Sequence, residues 1–155
     1  MRDTTPLPAE SASFLRQVRH FFLLWSIKLL VAVQLAYLRI CYPTPKTRPT
    51  FTRIYSCRPS LEVRVFTPKS RVSGDNSLLP LYLSIHGGAF ATCDAGIDDS
   101  FCTKWCERTG MVVASLNYRK APIHRFLVAV LDIAAVARAV IDDESLHIDK
   151  SRVII

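Results

Sequence analysis

The sequence has 155 residues, half of them hydrophobic, and a formal net charge of +7. This length allows one domain with a sizeable core, and the composition differs from that of disordered or fibrous chains. The charge is uneven, because residues 1–75 carry twelve basic against four acidic residues and residues 76–155 carry eight against nine. A nucleic-acid-binding module would carry its basic residues on the folded part, interleaved with aromatic residues, so we do not expect nucleic acid as a partner.

The first 50 residues predict a membrane attachment. Residues 1–20 read as a polar tail, residues 21–40 as an apolar anchor helix and residues 41–50 as a stiff linker rich in proline. Residues 21–38 are long enough to span a bilayer, and their eleven Phe, Leu, Ile or Val residues outweigh Lys28, which costs about 3 kcal/mol at the midplane.

These features favour a single-pass N-terminal anchor, for example of the endoplasmic reticulum, with the side of the globular domain left open. A helix lying in the membrane interface fits less well, because Ser26, Lys28 and Gln34 point in separate directions. A cleaved signal peptide is also disfavoured, because a long region that includes acidic residues precedes the apolar stretch. A helix packed on the protein itself stays open as an alternative.

Residues 51–155 predict an α/β domain. Two segments that alternate apolar with polar residues, 51–55 and 61–66, read as a hairpin. Then come buried strands at 78–85, 111–117 and 152–155, separated by helices at 94–108 and 126–141. Continuous apolar strands that alternate with helices are typical of a parallel sheet covered on both faces.

The glycine turn after the strand at 78–85 is the strongest functional signal. His86-Gly87-Gly88-Ala89-Phe90 is, taken alone, typical of an ordinary tight turn with a surface histidine. Its place at the carboxyl end of a predicted parallel strand changes that interpretation, because ligands bind there in such sheets. Glycines let backbone N–H groups approach a ligand closely, and such groups stabilise the oxyanion of acyl transfer.

Three motifs together resemble the hormone-sensitive-lipase branch of the α/β-hydrolases. They are the His86–Phe90 turn, the segment Asn117-Tyr118-Arg119-Lys120-Ala121-Pro122-Ile123-His124 and a helix that carries Asp132. The resemblance covers residues 51–155 and implies the N-terminal part of an α/β-hydrolase sheet. It also implies a carboxylic-ester hydrolase with a Ser-Asp-His triad that acts on acylglycerols or small acyl esters. By carry-over, Gly87, Gly88 and Ala89 would form the oxyanion hole, and His86 would shape the loop.

The sequence also departs from the family. Residues 151–155 resemble the strand before the nucleophile elbow, and no Gly-x-Ser-x-Gly motif occurs within the 155 residues. We therefore expect no catalytic nucleophile, acid or base in this chain and no ester hydrolysis by it alone. A membrane-tethered binding protein or a degenerate hydrolase is the alternative. Lys120, Ile123 and Arg125 replace the family's usual Leu, Glu and Pro.

Other candidates for chemistry are weaker. The five cysteines form no C-x-x-C pair, so we expect neither a metal site nor any other cofactor. Cys102 and Cys106 share a helix face and read as packing residues, as does Cys93, which has no identifiable base. His124 reads as a structural residue at a helix start, and the acidic runs at 98–99 and 142–144 read as solvated helix ends.

Overall fold

The computed structural model describes residues 14–41, 47–71 and 77–155. Residues 1–13 of the tail predicted at 1–20, the linker residues 42–46 and the connection at 72–76 lie outside the described residues, and the rest of that tail belongs to α1. The helices are α1 (Phe14–Cys41), α2 (Asp99–Thr109) and α3 (Val128–Asp142), and the strands are β1 (Phe51–Ile54), β2 (Glu62–Phe66), β3 (Leu79–Ile85), β4 (Val112–Leu116) and β5 (Ile148–Ile154). Two short 3-10 helices, Ala95–Asp98 and Glu144–Leu146, precede α2 and β5.

The strands form one mixed sheet in the order β1-β2-β4-β3-β5. The β1 and β2 strands form an antiparallel hairpin, β2 pairs antiparallel with β4, and β3 pairs parallel with both β4 and β5. The predicted fold class, an antiparallel hairpin followed by parallel strands with helices, is therefore confirmed.

Apolar side chains pack on both faces of the sheet, and β4 is therefore buried along its whole length. On one face, Val136 and Val140 of α3 pack against strand residues. On the other face, Cys102 and Cys106 of α2 pack against Phe66 and Val113. The two cysteines are thus packing residues, as the helix spacing predicts, and burial raises the pKa of both thiols, that of Cys106 to about 12.

The element boundaries differ from the sequence prediction mainly at the last strand. We predicted a strand from Arg152, but β5 begins at Ile148, which is buried and pairs with Leu79. The register between β3 and β5 then shifts, and the side chain of Asp149 accepts hydrogen bonds from the N–H and hydroxyl of Ser151. Because the residues at this irregularity are polar, the hydropathy pattern does not show that the strand begins at Ile148.

A buried carboxylate joins three segments of the domain. The side chain of Asp132 on α3 is fully buried and accepts hydrogen bonds from Arg119 Nε (2.8 Å) and Nη2 (2.7 Å), just after β4. It also accepts one from Arg58 Nε (2.5 Å), in the turn after β1. A buried charge needs such partners, and removing one of them leaves the others uncompensated. Asp132 therefore fixes α3 relative to the segment that follows β4.

We expect Asp132→Asn to lower the free energy of unfolding by about 3 kcal/mol, because both arginines lose a charged partner. Urea unfolding of the purified chain measures this change. Asp142→Asn is the matched control, since the side chain of Asp142 is 64% exposed and its nearest cation, Lys150 Nζ, lies 3.9 Å away. This control should change stability by less than about 0.5 kcal/mol, and equal losses in the two variants would contradict the role of Asp132.

The difference in the free energy of unfolding between wild type and Asp132→Asn should depend on pH. Burial acts to raise the pKa of Asp132, but hydrogen bonds from Arg119 and Arg58 outweigh it and hold the pKa at about 2. The unfolded value is about 3.9, so the stabilisation is fully present above that pH and is lost as the pH falls toward about 2. A difference that stayed constant down to pH 2 would contradict this cause.

Candidate active site

The candidate site lies where β3 and β4 end. Because these strands run parallel and Ile85 pairs with Leu116, the loop that follows β3 and the loop that follows β4 leave the sheet at the same edge. His86 therefore lies beside Asn117, with its Nε2 at 3.2 Å from Asn117 Oδ1. The two motifs that carry the family resemblance thus meet at one edge of the sheet.

The turn after His86 has an unusual backbone. Gly88, Ala89 and Phe90 have φ angles of 118°, 51° and 57°, all in the left-handed region. The Gly88 carbonyl accepts hydrogen bonds from the N–H groups of Ala91 and Thr92, each at 2.9 Å, and from Thr92 Oγ1 at 3.1 Å. A Cβ on Gly88 would overlap the Thr92 carbonyl, whereas a Cβ on Gly87 would meet nothing within 4 Å. Glycine is thus required at 88 and not at 87.

The N–H groups of this turn are available to a ligand. Within the described part of the chain, the backbone N–H groups of Gly87, Gly88 and Ala89 donate to no acceptor. Gly87 and Ala89 are exposed and Gly88 is half-buried. Donors that already sit in place and lack a partner suit an oxygen that carries negative charge. Their role as an oxyanion hole stays a prediction.

His86 is buried beneath the turn, with 2% of its surface exposed, rather than on the surface as the tight-turn interpretation would have it. Its Nδ1 lies 2.8 Å from the Gly87 carbonyl oxygen, and its ring stacks on Tyr118 with a centroid distance of 4.3 Å and an interplanar angle of 8°. The Tyr118 hydroxyl donates to the His86 carbonyl at 2.9 Å. These contacts hold the ring of His86 at its nitrogen atoms and at its face on Tyr118, so His86 is suited to shape the loop.

Asn117 connects the two loops. Its Oδ1 accepts hydrogen bonds from the Tyr118 N–H at 3.0 Å and from Lys120 Nζ at 2.8 Å, which fixes the orientation of the amide toward His86. Lys120 also donates to the Tyr118 carbonyl at 3.2 Å. Sequence reasoning noted Lys120 only as a departure from the family's leucine and missed this contact.

The charge around Lys120 is unusual for a lysine. Burial lowers the pKa of Lys120, Lys28 lowers it further and Asp94 acts in the opposite direction. Neither Lys120 nor Lys28 forms an ion pair with a carboxylate within the described residues. Two lysines and the carboxylate of Asp94 thus act on one another at this edge of the sheet.

The remaining candidates do not assemble into a catalytic group. Ser84 and Ser115 are buried in strands, and Ser115 Oγ donates to the Ala95 carbonyl. Asp99 is paired with Arg64 at 2.7 and 2.5 Å rather than solvated, which corrects the interpretation of the 98–99 pair as a solvated helix end. Among the described residues no group of three His, Cys, Asp or Glu side chains could hold a metal ion.

Three further predicted positions also lie away from any acid–base pair. Asp143 accepts hydrogen bonds from Tyr55 (2.8 Å) and from Ser145, so it is a structural residue rather than a solvated one. Cys93 is half-buried, and its Sγ lies 3.7 Å from Thr92 Oγ1. His124 lies in the turn before α3 rather than at the helix start, because α3 begins at Val128.

We expect Gly88→Ala to destabilise the chain by about 2 kcal/mol or more, because the new Cβ meets Thr92 and the φ angle is strained for alanine. Gly87→Ala, its matched control, should change the free energy of unfolding by less than about 0.5 kcal/mol. Urea unfolding measures both variants. If Gly88→Ala were as well tolerated as Gly87→Ala, the described conformation of the turn would be wrong.

Comparisons with known proteins agree with the fold. Residues 82–155 match the family model described as alpha/beta hydrolase fold. The hyperthermophilic esterase of the archaeon Pyrobaculum calidifontis superposes with a TM-score of 0.65 and 26% identity, over 84% of this chain and 40% of that protein. The thermostable carboxylesterase EstE1, cloned from a metagenomic library, gives a TM-score of 0.64 and 28% identity, over 84% of this chain and 43% of that protein.

A curated relative, the gibberellin receptor GID1C of Arabidopsis thaliana, is 37% identical over 54 residues, which are 34% of this chain and 16% of the receptor. The chain thus spans less than half the length of these solved esterases and less than a fifth of that of the curated relative. Residues 82–155 thus match the alpha/beta hydrolase fold family, and the chain resembles the N-terminal part of its hormone-sensitive-lipase-like branch.

Proposed function

We propose that residues 51–155 supply the oxyanion-binding part of a carboxylic-ester hydrolase. The observation that carries this proposal is the set of N–H groups on Gly87, Gly88 and Ala89, which lack acceptors among the described residues at the carboxyl edge of the sheet. The match of residues 82–155 to the hydrolase family model and the likeness to solved esterases support it.

The proposed role of residues 51–155 is to stabilise the negative charge that develops on the ester oxygen. When a nucleophile attacks an ester carbonyl, the carbonyl oxygen becomes an anion that needs fixed donors, and each such donor contributes about 10²–10³ in kcat. The Gly88 carbonyl holds the turn in place through Ala91 and Thr92, so these donors need no rearrangement at the moment of reaction. His86, stacked on Tyr118, supports the turn from beneath.

None of the three triad residues is proposed to lie within residues 1–155. No Gly-x-Ser-x-Gly motif occurs among them, so the proposed serine nucleophile, acid and base would come from elsewhere. We accordingly propose that residues 1–155 alone do not hydrolyse esters. The substrates proposed for the complete site are acylglycerols or small acyl esters, in line with the family resemblance.

Membrane attachment through residues 21–38 is the second part of the proposal. The helical segment Arg16–Cys41 contains an 18-residue window with a mean hydropathy of 1.9 and is long and apolar enough to cross a membrane, although signal sequences near an N-terminus have the same properties. The domain boundaries proposed with it are an anchor at residues 21–40, a linker at 41–50 and the hydrolase part at 51–155.

A membrane-tethered binding protein is the second candidate function. It is favoured by the missing nucleophile motif within residues 1–155 and by the relative that is named a gibberellin receptor. In such a protein the same N–H groups would hold a ligand oxygen and no bond would break.

Sequencing of the full-length transcript across the codon for Ile155 separates the two candidates. A reading frame that continues into a Gly-Asp-Ser-Ala-Gly elbow is the result expected for the hydrolase, and its product should react with a fluorophosphonate probe that labels serine nucleophiles. A stop codon directly after Ile155 would contradict the hydrolase and leave the binding protein. Fluorophosphonate labelling of residues 1–155 alone would contradict the statement that they carry no nucleophile.

A further inference from the structure

The middle of α1 is bonded to the candidate site. Lys28 lies at the midpoint of α1, and its Nζ donates a hydrogen bond to the Ala121 carbonyl at 3.0 Å. The N–H of the same residue, Ala121, donates to the carbonyl of Phe90 at 2.9 Å, and Phe90 closes the candidate turn. One residue thus connects the apolar helix with the proposed oxyanion-binding loop.

This contact does not fit a helix that crosses a bilayer. The 28 residues of α1 measure about 42 Å, so a spanning α1 would place Lys28 near the centre of a hydrocarbon core about 30 Å thick. Ala121 and its neighbours would then lie in the hydrocarbon as well. Irregular backbone exposed to lipid is not tolerated at that depth, because its polar groups would lack partners.

The two sides of α1 differ in exposure. Leu24, Val31 and Leu35 are half-buried and lie on the same face as Lys28, at spacings of four, three and four residues. The opposite face is apolar and open to solvent; it includes Phe22 (64% exposed), Leu29 (67%) and Val33 (59%). A helix that is apolar on both sides, with one side turned to the protein, needs a second apolar surface to cover the other.

The loop bonded to α1 adds exposed apolar side chains of its own. Ile123, Phe126 and Leu127, which closely follow Ala121, are 69%, 80% and 55% exposed. Together with the open face of α1 they are exposed apolar side chains on the two segments that the Lys28–Ala121 hydrogen bond joins. We refer to the outer face of α1 and these three residues as the apolar rim.

We propose that the apolar rim docks on a membrane surface, with α1 lying in the plane of the interface rather than across the bilayer. This orientation replaces the spanning anchor that the sequence favoured, because the hydrogen bond to Ala121 turns Lys28 toward the protein. The charges favour a lipid surface over a second copy of the chain: Arg16 and Arg19 near one end of α1, Arg39 at the other end and Arg125 in the loop complement anionic headgroups and would repel each other in a dimer. The proposal rests on the membrane attachment proposed above and is independent of ester hydrolysis.

Docking in this manner holds the candidate site at the lipid surface. Ala121 joins Phe90 to α1, so the turn at Gly87–Ala89 lies beside the helix that contacts lipid. Esters with apolar acyl chains, which partition into the bilayer, are then the substrate or ligand class that reaches this site directly.

The depth of Trp25 tests the orientation of α1. The full chain carrying Trp105→Phe, in which Trp25 is the only tryptophan, is bound to vesicles of phosphatidylcholine mixed with phosphatidylserine. A flat helix lies about 5–10 Å below the headgroups, so lipids brominated near the headgroup should quench Trp25 more strongly than lipids brominated near the chain end. In a spanning helix Trp25 lies within about 5 Å of Lys28 along the axis, so stronger quenching by the deep bromine atoms would overturn the proposal.

A matched pair of variants tests the contribution of the loop. Phe126→Ser should weaken vesicle binding about tenfold, because it removes a large side chain from the lipid contact. Leu78→Ser is the control, since Leu78 is 57% exposed but precedes β3, at the opposite edge of the sheet. Equal binding of the two variants, or no binding of the unsubstituted chain to these vesicles, would overturn the proposal that the apolar rim binds a membrane surface. Fluorophosphonate labelling is unaffected by these outcomes and reports separately on the proposed hydrolase.

Discussion

The parallel pairing of β3 with β4 is the constraint on which the site depends. Both strands end at one edge of the sheet, so the turn at His86 and the segment at Asn117 must meet there. Three kinds of contact then hold the edge: the His86–Asn117 hydrogen bond, the stacking of His86 on Tyr118 and the ion pair of Arg119 with buried Asp132. The ion pair connects this edge to α3, so the loop that follows β4 is held against the packed core.

Much of this arrangement could be predicted from the sequence, because it follows from short-range patterns. Continuous apolar strands and the helix stop at Gly110, with a φ of 70°, gave the order of the elements. Contacts between residues distant in the chain could not be predicted in the same way. The pairing of Asp99 with Arg64 and the hydrogen bond from Lys28 to Ala121 join residues 35 and 93 positions apart, and no periodicity reports such distances.

Lys28 shows why composition alone is insufficient for the N-terminal helix. In a hydropathy count Lys28 is an unfavourable contribution that the neighbouring leucines outweigh, whereas in the structure it bonds α1 to the loop that follows β4. Lys120 lies at the same edge, where burial and Lys28 lower its pKa and Asp94 acts in the opposite direction. Two lysines beside exposed apolar side chains are the features on which the proposals of an oxyanion site and of a lipid contact rest.

The central claim is that the N–H groups of Gly87, Gly88 and Ala89 bind an oxyanion. The most direct measurement is the amide proton and nitrogen NMR shifts of the chain during titration with an alkylphosphonate, whose charged oxygens stand in for the tetrahedral intermediate. If these groups bind the oxyanion, the shifts of the three amides change together and saturate. The shift of the Gly110 amide, in a glycine that also has a left-handed backbone but lies outside the site, stays unchanged. Unchanged shifts at Gly87, Gly88 and Ala89, or equal shifts at Gly110, would contradict it.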